Sequence, residues 1–531
     1  MAAEVQPLSG HKMEESNLSS KASLSPVDDE KKDVEAGLER PNESARDIDT
    51  GLEQPNGDAS PLPAKDPSLV EFDGPNDPGN PLNFSTKRKT AATVSMGLMT
   101  FVVTFSSSIF AVAIEPISDE YNVSTVVATL GVSLFLLGFV FGPVCFGPAS
   151  EIWGRRVPLF AGYICFAVFQ IPVAVAQNVE TIMICRFLGG FAASAPLAVV
   201  GGAMADMWNP LQRAYAICAF AGGAFSGPVA GPIIGGFVTE SYLGWRWTQW
   251  ITLIMAALFG SIGLILIPET SAQRILQIRA KELRYQTQNW ALHAKADENR
   301  ITFNTIFTVY LVRPWKMIVQ EPILALLTAY MSYLYGVLYL LFEAFPISFH
   351  EERGWSLGVS ALPFAAIIVG IIMGSALMSY SAATNFKKAF VKHGKTVPEE
   401  RLPPMIVCAV ILPIAFFWWA WSSMPSTLWV SQVIASAFLG MGLLVTFWQG
   451  MNYIIDCYGF YSNSAIAVNT FIRSIAGAVF PLFAPYMFHN LGVPWATSVL
   501  GFICLAFVPA PILFYKYGAR IRAKSKFTPT G

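Results

Sequence analysis

Charged residues are scarce in this sequence. Only 13% of the 531 residues are charged, 53% are hydrophobic, and the mean hydropathy is +0.47. Soluble domains average about 25% charged residues, so the composition excludes an ordinary soluble protein and places the chain in a bilayer. The net charge of -1 indicates neither a nucleic-acid partner nor an acidic substrate.

The sequence also lacks the motifs of enzymes and metal sites. Its seven cysteines are scattered through or beside apolar segments, and no two form a Cys-x-x-Cys pair. This indicates apolar packing residues and not a disulfide framework or a metal site. A catalytic triad, a phosphate loop and zinc-ligand spacing are missing as well. We therefore expect neither an enzyme nor a bound cofactor or metal.

A cleavable signal peptide is absent too. Residues 1–90 are rich in Ser, Pro, Asp, Glu and Lys and show no periodicity, which predicts a disordered N-terminal tail. The tail has no apolar core followed by a small-residue cleavage site. The first membrane span is therefore expected to act as the insertion signal.

Long apolar runs are abundant, and twelve of them can cross about 30 Å of hydrocarbon as helices. Six precede the longest internal polar stretch and six follow it. This predicts an all-α membrane protein with halves at residues 91–267 and 321–515, a central loop at 268–320 and a C-terminal tail at 516–531. The runs are 93–115, 126–146, 157–176, 181–203, 214–238, 248–267, 323–346, 358–379, 404–422, 428–450, 464–487 and 494–514.

Lys and Arg residues predict the orientation. The loops on one side of the predicted bundle are rich in them, whereas the opposite loops hold only Arg246 and Arg353. By the positive-inside rule, the basic side, both tails and the central loop are cytosolic. The basic loops hold Arg155, Arg156 and Arg213, eight Lys or Arg across 268–320, five across 380–403 and five after 514.

Residues 227–236 form a glycine-rich segment in the fifth run. Three glycines recur every four residues, so on a helix they share one face that lets a neighbouring helix approach backbone to backbone. Two prolines are expected to bend that helix. The alternative is that any glycine-rich membrane helix packs closely. The spacing resembles the antiporter motif of major facilitator superfamily drug:proton antiporters, which assigns the motif to Gly227, Pro228, Gly231, Pro232, Gly235 and Gly236.

Residues 147–156 lie between the second and third runs. They resemble the superfamily's loop motif Gly-x-Leu-Ala-Asp-x-x-Gly-Arg-Arg, with Glu151 in place of Asp. A carboxylate beside two guanidinium groups predicts a charge-assisted latch that breaks when the halves rock. The resemblance assigns the latch to Gly147, Glu151, Gly154, Arg155 and Arg156. The arginines also suit a topology anchor, and the two roles are compatible.

Further segments resemble fungal drug:proton antiporters. Residues 77–83 resemble their Asp-Pro-x-Asn-Pro-x-Asn-Trp entry motif, with Phe84 where Trp is usual, and we expect Phe84 to rest in the headgroup region. Residues 244–247, 268–270 and 464–493 add to the match. The resemblance covers about residues 70–528. It implies the twelve-helix major facilitator fold and export of small organic molecules in exchange for protons.

Ionisable residues inside apolar runs are functional candidates, because burying a charge in a bilayer is costly. Arg186 lies in a pattern that resembles the Arg-x-x-x-Gly motif of the antiporters' fourth span, which is associated with proton transfer. Guanidinium does not readily deprotonate, so we expect Arg186 to polarise a neighbouring carboxylate or water. Arg473 is the second such arginine, within a segment that resembles the end of the same antiporters.

Glu343 is the clearest acidic residue inside an apolar run and suits a reversible proton carrier. Its alternatives are a site for a cationic substrate or exposure at the outer membrane surface. Glu115 and Asp206 lie nearer span ends and are secondary candidates. Aromatic residues that fit a cavity for a flat substrate are Phe225, Tyr330, Tyr333, Tyr335, Phe447 and Trp448.

We expect a monomeric, multi-pass exporter in the plasma membrane, with a small organic substrate (a drug, toxin or fungal secondary metabolite), protons and the lipid bilayer as partners. The alternatives are a vacuolar or vesicular membrane, an uptake transporter for polyamines, sugars or organic acids, and a non-transporting receptor. The glycine motif argues against uptake, since the resemblance is to exporters. Asn122 begins a formal glycosylation acceptor in a predicted outer loop.

Overall fold

The computed structural model describes residues 66–298, 311–394 and 396–527. Within these ranges the chain is helical, and its only β-type pairing is an isolated bridge between Leu69 and His293. A bilayer favours helices because lipid offers no partner for unpaired backbone amides and carbonyls. The predicted all-α class is confirmed.

Six spans make up the N-terminal half. Ser85, Ser124 and Asn178 cap three of them, each accepting a hydrogen bond from the backbone amide three residues later. The spans are Thr86–Ile109, which continues through Phe110–Ala113 and Ile114–Tyr121, then Thr125–Ile152, Arg156–Ala174, Val179–Met207, Pro210–Glu240 and Arg246–Leu266.

The C-terminal half follows a polar connection that contains the helices Ala272–Thr287, Lys295–Glu298 and Arg313–Gln320. Its first four spans are Pro322–Pro346, which a π-turn at Ile347–Glu351 extends, then Leu357–Ser360 with Phe364–Ser381 and Lys387–His393, Leu402–Trp421, and Trp429–Tyr458.

The last 61-residue stretch, Ser462–Arg522, completes the set of eleven in the described residues that are long and apolar enough to cross a membrane. It is two crossings, because the chain breaks at Gly492, whose φ of 73° is left-handed. Tyr333 contacts the rings of both Phe480 and Phe507, which a straight helix would hold about 40 Å apart. The chain therefore reverses at Gly492, and the predicted twelve spans are present.

Residues 66–90, which we expected to be disordered, are ordered. The Asp77 carboxylate accepts hydrogen bonds from the backbone amides of Asp73 at 2.8 Å and Gly79 at 2.7 Å, and pairs with Arg279 at 2.7 Å. These amide bonds and the guanidinium lower the pKa of Asp77. The disorder criterion measures apolar burial and therefore missed a polar segment held by hydrogen bonds. Residues 1–65 lie outside the described residues.

Phe84, at the start of the first span, packs within the protein. Its side chain is 9% exposed, and the Arg88 guanidinium lies 4.1 Å from the ring centroid. The expected position of this ring at headgroup depth stays a prediction.

The fifth and eighth spans join the two halves along their length. Gly222 faces Ser375 near the middle, and Gly236 approaches the backbone of Leu357 and Gly358 at the far end. Two of the contacts come from glycines because a side chain would keep the helices apart. We call the end of the bundle that carries Arg155 and Arg401 the basic end.

Candidate functional site

An aromatic cluster fills the centre of the interface between the halves. Phe225 of the fifth span lies 5.2 Å from Phe447 of the tenth span, measured between ring centroids, and Phe220 lies 5.9 Å from Trp448. Tyr335 of the seventh span stacks on Phe447 at 6.1 Å. Four of the six aromatic residues predicted to line a cavity thus meet in one place.

The other two predicted aromatic residues do not reach this cluster. The Tyr330 ring stacks on Phe507 at 4.8 Å, and the Tyr333 hydroxyl donates to the backbone carbonyl of Leu500. Both rings pack within the C-terminal half. The prediction was wrong for them because successive helix residues point in different directions, and a hydropathy reading of an all-apolar span does not tell these directions apart.

Arg473 of the eleventh span lies against the aromatic cluster. Its guanidinium is 5.0 Å from the centroid of the Phe447 ring and 5.2 Å from that of Tyr335. These contacts are cation–π interactions. The Nε atom is buried and has no hydrogen-bond acceptor among the described residues.

Arg186 of the fourth span is 1% exposed and bound differently. Its Nε donates to the Gly131 carbonyl and its Nη1 to the Ser106 carbonyl, both at 3.0 Å. The guanidinium also lies over the rings of Phe110 and Phe135. Among the described residues no carboxylate forms an ion pair with it. Of the two expected partners, a carboxylate is therefore not found beside Arg186 in the described part of the chain.

Three consecutive serines of the first span were missed by the sequence analysis. The Ser106 carbonyl accepts from Arg186, the Ser107 hydroxyl lies 2.8 Å from the Tyr339 hydroxyl, and Ser108 lies against Gly231. Helix residues advance by about 100°, so neighbours in sequence reach different partners. The signal was a run of three hydroxyl residues within an otherwise apolar span.

Hydroxyl groups connect the two halves at this level. Ser107 belongs to the N-terminal half and Tyr339 to the C-terminal half, and Tyr339 lies 3.5 Å from the Tyr335 hydroxyl. Arg473 in turn covers the Tyr335 ring. The two intramembrane arginines are thus connected through a short series of backbone and side-chain contacts.

Glu343 lies one helical turn beyond Tyr339, towards the end opposite the basic end. It is partly buried, and the charges of Glu115 and Glu351 lie near enough to act on it. Glu115 belongs to the N-terminal half, so two predicted candidates lie within electrostatic range of each other across the interface. Neither intramembrane arginine is an ion-pair partner of Glu343 in the described part of the chain.

The glycine face predicted in the fifth span packs against the first span. A Cβ atom added at Gly227 would lie 2.1 Å from Thr104 Oγ1, and one at Gly231 would lie 2.2 Å from Ser108 Oγ. At Gly235 it would lie 2.7 Å from Val112. The predicted backbone-to-backbone approach is confirmed, while Gly236 faces the eighth span. The helix Pro210–Glu240 runs unbroken through both prolines.

The predicted latch has different partners. In the described part of the chain the Arg155 Nε binds Asp206 at 2.9 Å and the Arg156 Nη2 donates to the Leu264 carbonyl at 2.8 Å, and neither is seen to form an ion pair with Glu151. Glu151 instead accepts a hydrogen bond at 3.0 Å from Asn463 of the C-terminal half. A contact does cross the halves at the basic end, but its donor is an amide.

Gly147 and Gly154 take separate positions in that motif. Gly147 lies inside the second span with no heavy atom within 4 Å of a Cβ atom added there, whereas Gly154 has a left-handed φ of 86°. Glu269 lies beside Gly154 and accepts from the backbone amides of Arg155 at 2.8 Å and Arg156 at 3.1 Å. Gly154 therefore supplies the turn that presents these two amides to Glu269.

Asp206 belongs to this basic end and not to the membrane interior. The pair Arg155–Asp206 joins the start of the third span to the end of the fourth, and Arg401–Asp456, at 2.8 Å, joins the ninth to the tenth in the same way. The two halves therefore repeat a charge pair that the sequence alone did not reveal. Asp206 therefore forms an ion pair at the basic end, and its role as a secondary proton-coupling candidate stays a prediction.

Asn122 is exposed and left-handed, with φ of 51°, in the short connection before the second span. The hydroxyl of Ser124, which the glycosylation signal requires, caps that span by accepting from the Val127 amide at 3.4 Å. Glycosylation at Asn122 stays a prediction.

Comparison with known proteins identifies the family to which this chain belongs. The profile of the Major Facilitator Superfamily matches residues 96–481. A citrinin biosynthesis cluster MFS transporter of Monascus ruber is 52% identical over 467 residues, which cover 88% of this chain and 93% of that protein. An ascochitine biosynthesis cluster MFS transporter of Didymella fabae is 48% identical over 468 residues, which cover 88% and 90%.

A solved structure supports the fold. The MFS proton:xylose symporter XylE, bound to 6-bromo-6-deoxy-D-glucose, superposes with a TM-score of 0.59 at 14% identity. The match covers 82% of this chain and 96% of that one. At this identity the similarity concerns the fold and not the substrate.

Proposed function

Since this chain belongs to the Major Facilitator Superfamily and is an integral membrane transporter, we propose that it exports a small organic molecule from the cytosol in exchange for protons. The relatives named for biosynthesis clusters support export, because a producing cell has to remove its product. We also propose that it acts as a monomer in the plasma membrane.

One observation supports the proposed coupling to protons. Glu343 is a partly buried carboxyl group at the interface of the halves, and the negative charges of Glu115 and Glu351 lie near enough to act on it. Carboxylates in one place repel each other, so a proton bound among them lowers the repulsion. Rocking of the halves would change the access of this group to water, and so couple proton release to the transport cycle.

Glu343→Gln tests the coupling, because the amide mimics the protonated carboxyl. We expect the variant to lose export of fluorescent aromatic dyes that is driven by an imposed pH gradient in reconstituted vesicles. Dye binding to the purified protein should change little, since the amide keeps the shape of the side chain.

Glu180→Gln is the matched control, because Glu180 is exposed in the first turn of the fourth span, at the same end of the bundle. It should transport like the parent protein. Gradient-driven export by Glu343→Gln at the parental rate would exclude Glu343 as the carrier, and Glu115 would be tested next.

A further inference from the structure

We propose that the transported molecule is an organic anion with a planar aromatic body, and that Arg473 binds its anionic oxygens in the aromatic cluster between the halves. This inference rests on the proposed transport function and names the substrate class for the same interface.

Two unsatisfied hydrogen-bond donors lie at the cluster. Arg473 Nε and Trp448 Nε1 are buried and have no acceptor among the described residues. The Arg473 guanidinium lies 5.0 Å from the centroid of the Phe447 ring, and the centroids of the Phe447 and Trp448 rings are 6.0 Å apart. Buried donors without partners are costly, and their partners have to be acceptors. A carboxylate or phenolate oxygen is an acceptor that carries no donor.

The charge at this level is also unbalanced. Arg473 and Arg186 form no ion pair with a described carboxylate, and the side chains that act electrostatically on Arg473 are Tyr335 and Tyr339. The nearest acidic group on the same face of the seventh span, Glu343, lies two turns from Tyr335, which is about 12 Å along the helix axis. Arg186 is enclosed within one half, whereas Arg473 lies at the interface of the halves, where an anionic ligand would supply the missing counter-charge.

The walls of the cluster define the rest of the ligand. Phe225 comes from the N-terminal half, and Tyr335 and Phe447 come from the C-terminal half. These rings touch one another in this structure, and once rocking of the halves parts them they would favour stacking of a planar ring system. A ligand held in this way touches both halves, so its binding can influence how they rock.

The test compares three naphthalene probes of the same shape, namely 2-naphthoate, its methyl ester and 2-naphthylmethylammonium, with the full-length protein at neutral pH. Binding is measured by titration calorimetry. We expect naphthoate to bind at least about tenfold more tightly than the ester or the ammonium, because a hydrogen bond to a charged group contributes about that much to affinity. Arg473→Gln should remove this preference.

Trp448→Phe keeps an aromatic ring and removes one donor, so it should weaken naphthoate binding by about two- to tenfold and leave ester binding unchanged. Arg246→Gln is the control, because Arg246 pairs with Glu120 at 2.6 Å far from the cluster. It should keep the preference for naphthoate.

The proposal is overturned if naphthoate does not bind, if the ester or the ammonium binds as tightly, or if a folded Arg473→Gln variant keeps the preference. None of these results affects gradient-driven dye export, which tests the proposed function separately. Conversely, selective naphthoate binding together with export that is insensitive to the pH gradient would overturn only the proton coupling.

Discussion

The two intramembrane arginines have the same chemistry and opposite surroundings. Arg186 is enclosed in the N-terminal half, where two carbonyl groups accept hydrogen bonds from its Nε and Nη1 and two rings cover its faces, while its Nη2 has no acceptor among the described residues. Arg473 is partly buried at the interface, where rings cover it and its Nε has no acceptor in the described chain. The difference teaches that a buried charge in a transporter is not by itself a sign of ligand binding.

Arg186 connects three spans of one half, because its guanidinium belongs to the fourth span and donates hydrogen bonds to backbone carbonyls of the second and first spans. Such contacts hold a half together as a rigid body while it rocks. Arg473 makes no hydrogen bond of this kind through Nε and is therefore available to a ligand. One arginine is expected to matter for folding and the other for transport.

Arg186→Ala against Arg473→Ala is the comparison with the largest expected effect. Removing the Arg186 side chain removes two hydrogen bonds from a charged donor, so we expect the free energy of unfolding to fall by about 3 kcal/mol or more. Removing Arg473 should lower the unfolding temperature much less. Intrinsic fluorescence during heating in detergent measures both, and equal losses would abolish the distinction between the two arginines.

Gly231→Ala tests whether the contact between the first and fifth spans stabilises the N-terminal half as the contacts of Arg186 do. The new Cβ would lie 2.8 Å from the Ile109 backbone nitrogen, so the first and fifth spans have to separate, at a cost of about 1–3 kcal/mol. Gly223→Ala is the control on the same helix, since no heavy atom lies within 4 Å of its Cβ position. Similar unfolding temperatures for the two variants would show that the glycine face tolerates separation.

Ser107→Ala has the smallest expected effect and concerns the connection between the arginines. It removes one hydrogen bond to Tyr339, worth about 1 kcal/mol, and so should change the dye export rate by about fivefold or less. Tyr339→Phe should have the same effect, and the double variant should add little to either. Additive effects in the double-mutant cycle would mean that the two hydroxyls do not act together.

The sequence predicted the glycine face correctly because that face depends on a repeat of four residues within one helix. It predicted the wrong partner for Glu151, although the residue itself was identified. Asn463, which donates a hydrogen bond to Glu151, is 312 positions away, and no local pattern relates residues at such a distance. For the same reason the sequence did not reveal that Ser107 contacts Tyr339.

Hydropathy and residue spacing are local properties, so the sequence by itself determined the membrane class, the twelve spans and the face on which the fifth span packs. The tertiary structure alone decided which partner each charge has. Arg155 and Asp206 meet only because the third and fourth spans place them at the same depth, and Glu343 comes within electrostatic range of Glu115 for the same reason. A charge in a low-dielectric interior depends on every neighbour within a few ångströms, and those neighbours come from packing and not from sequence order.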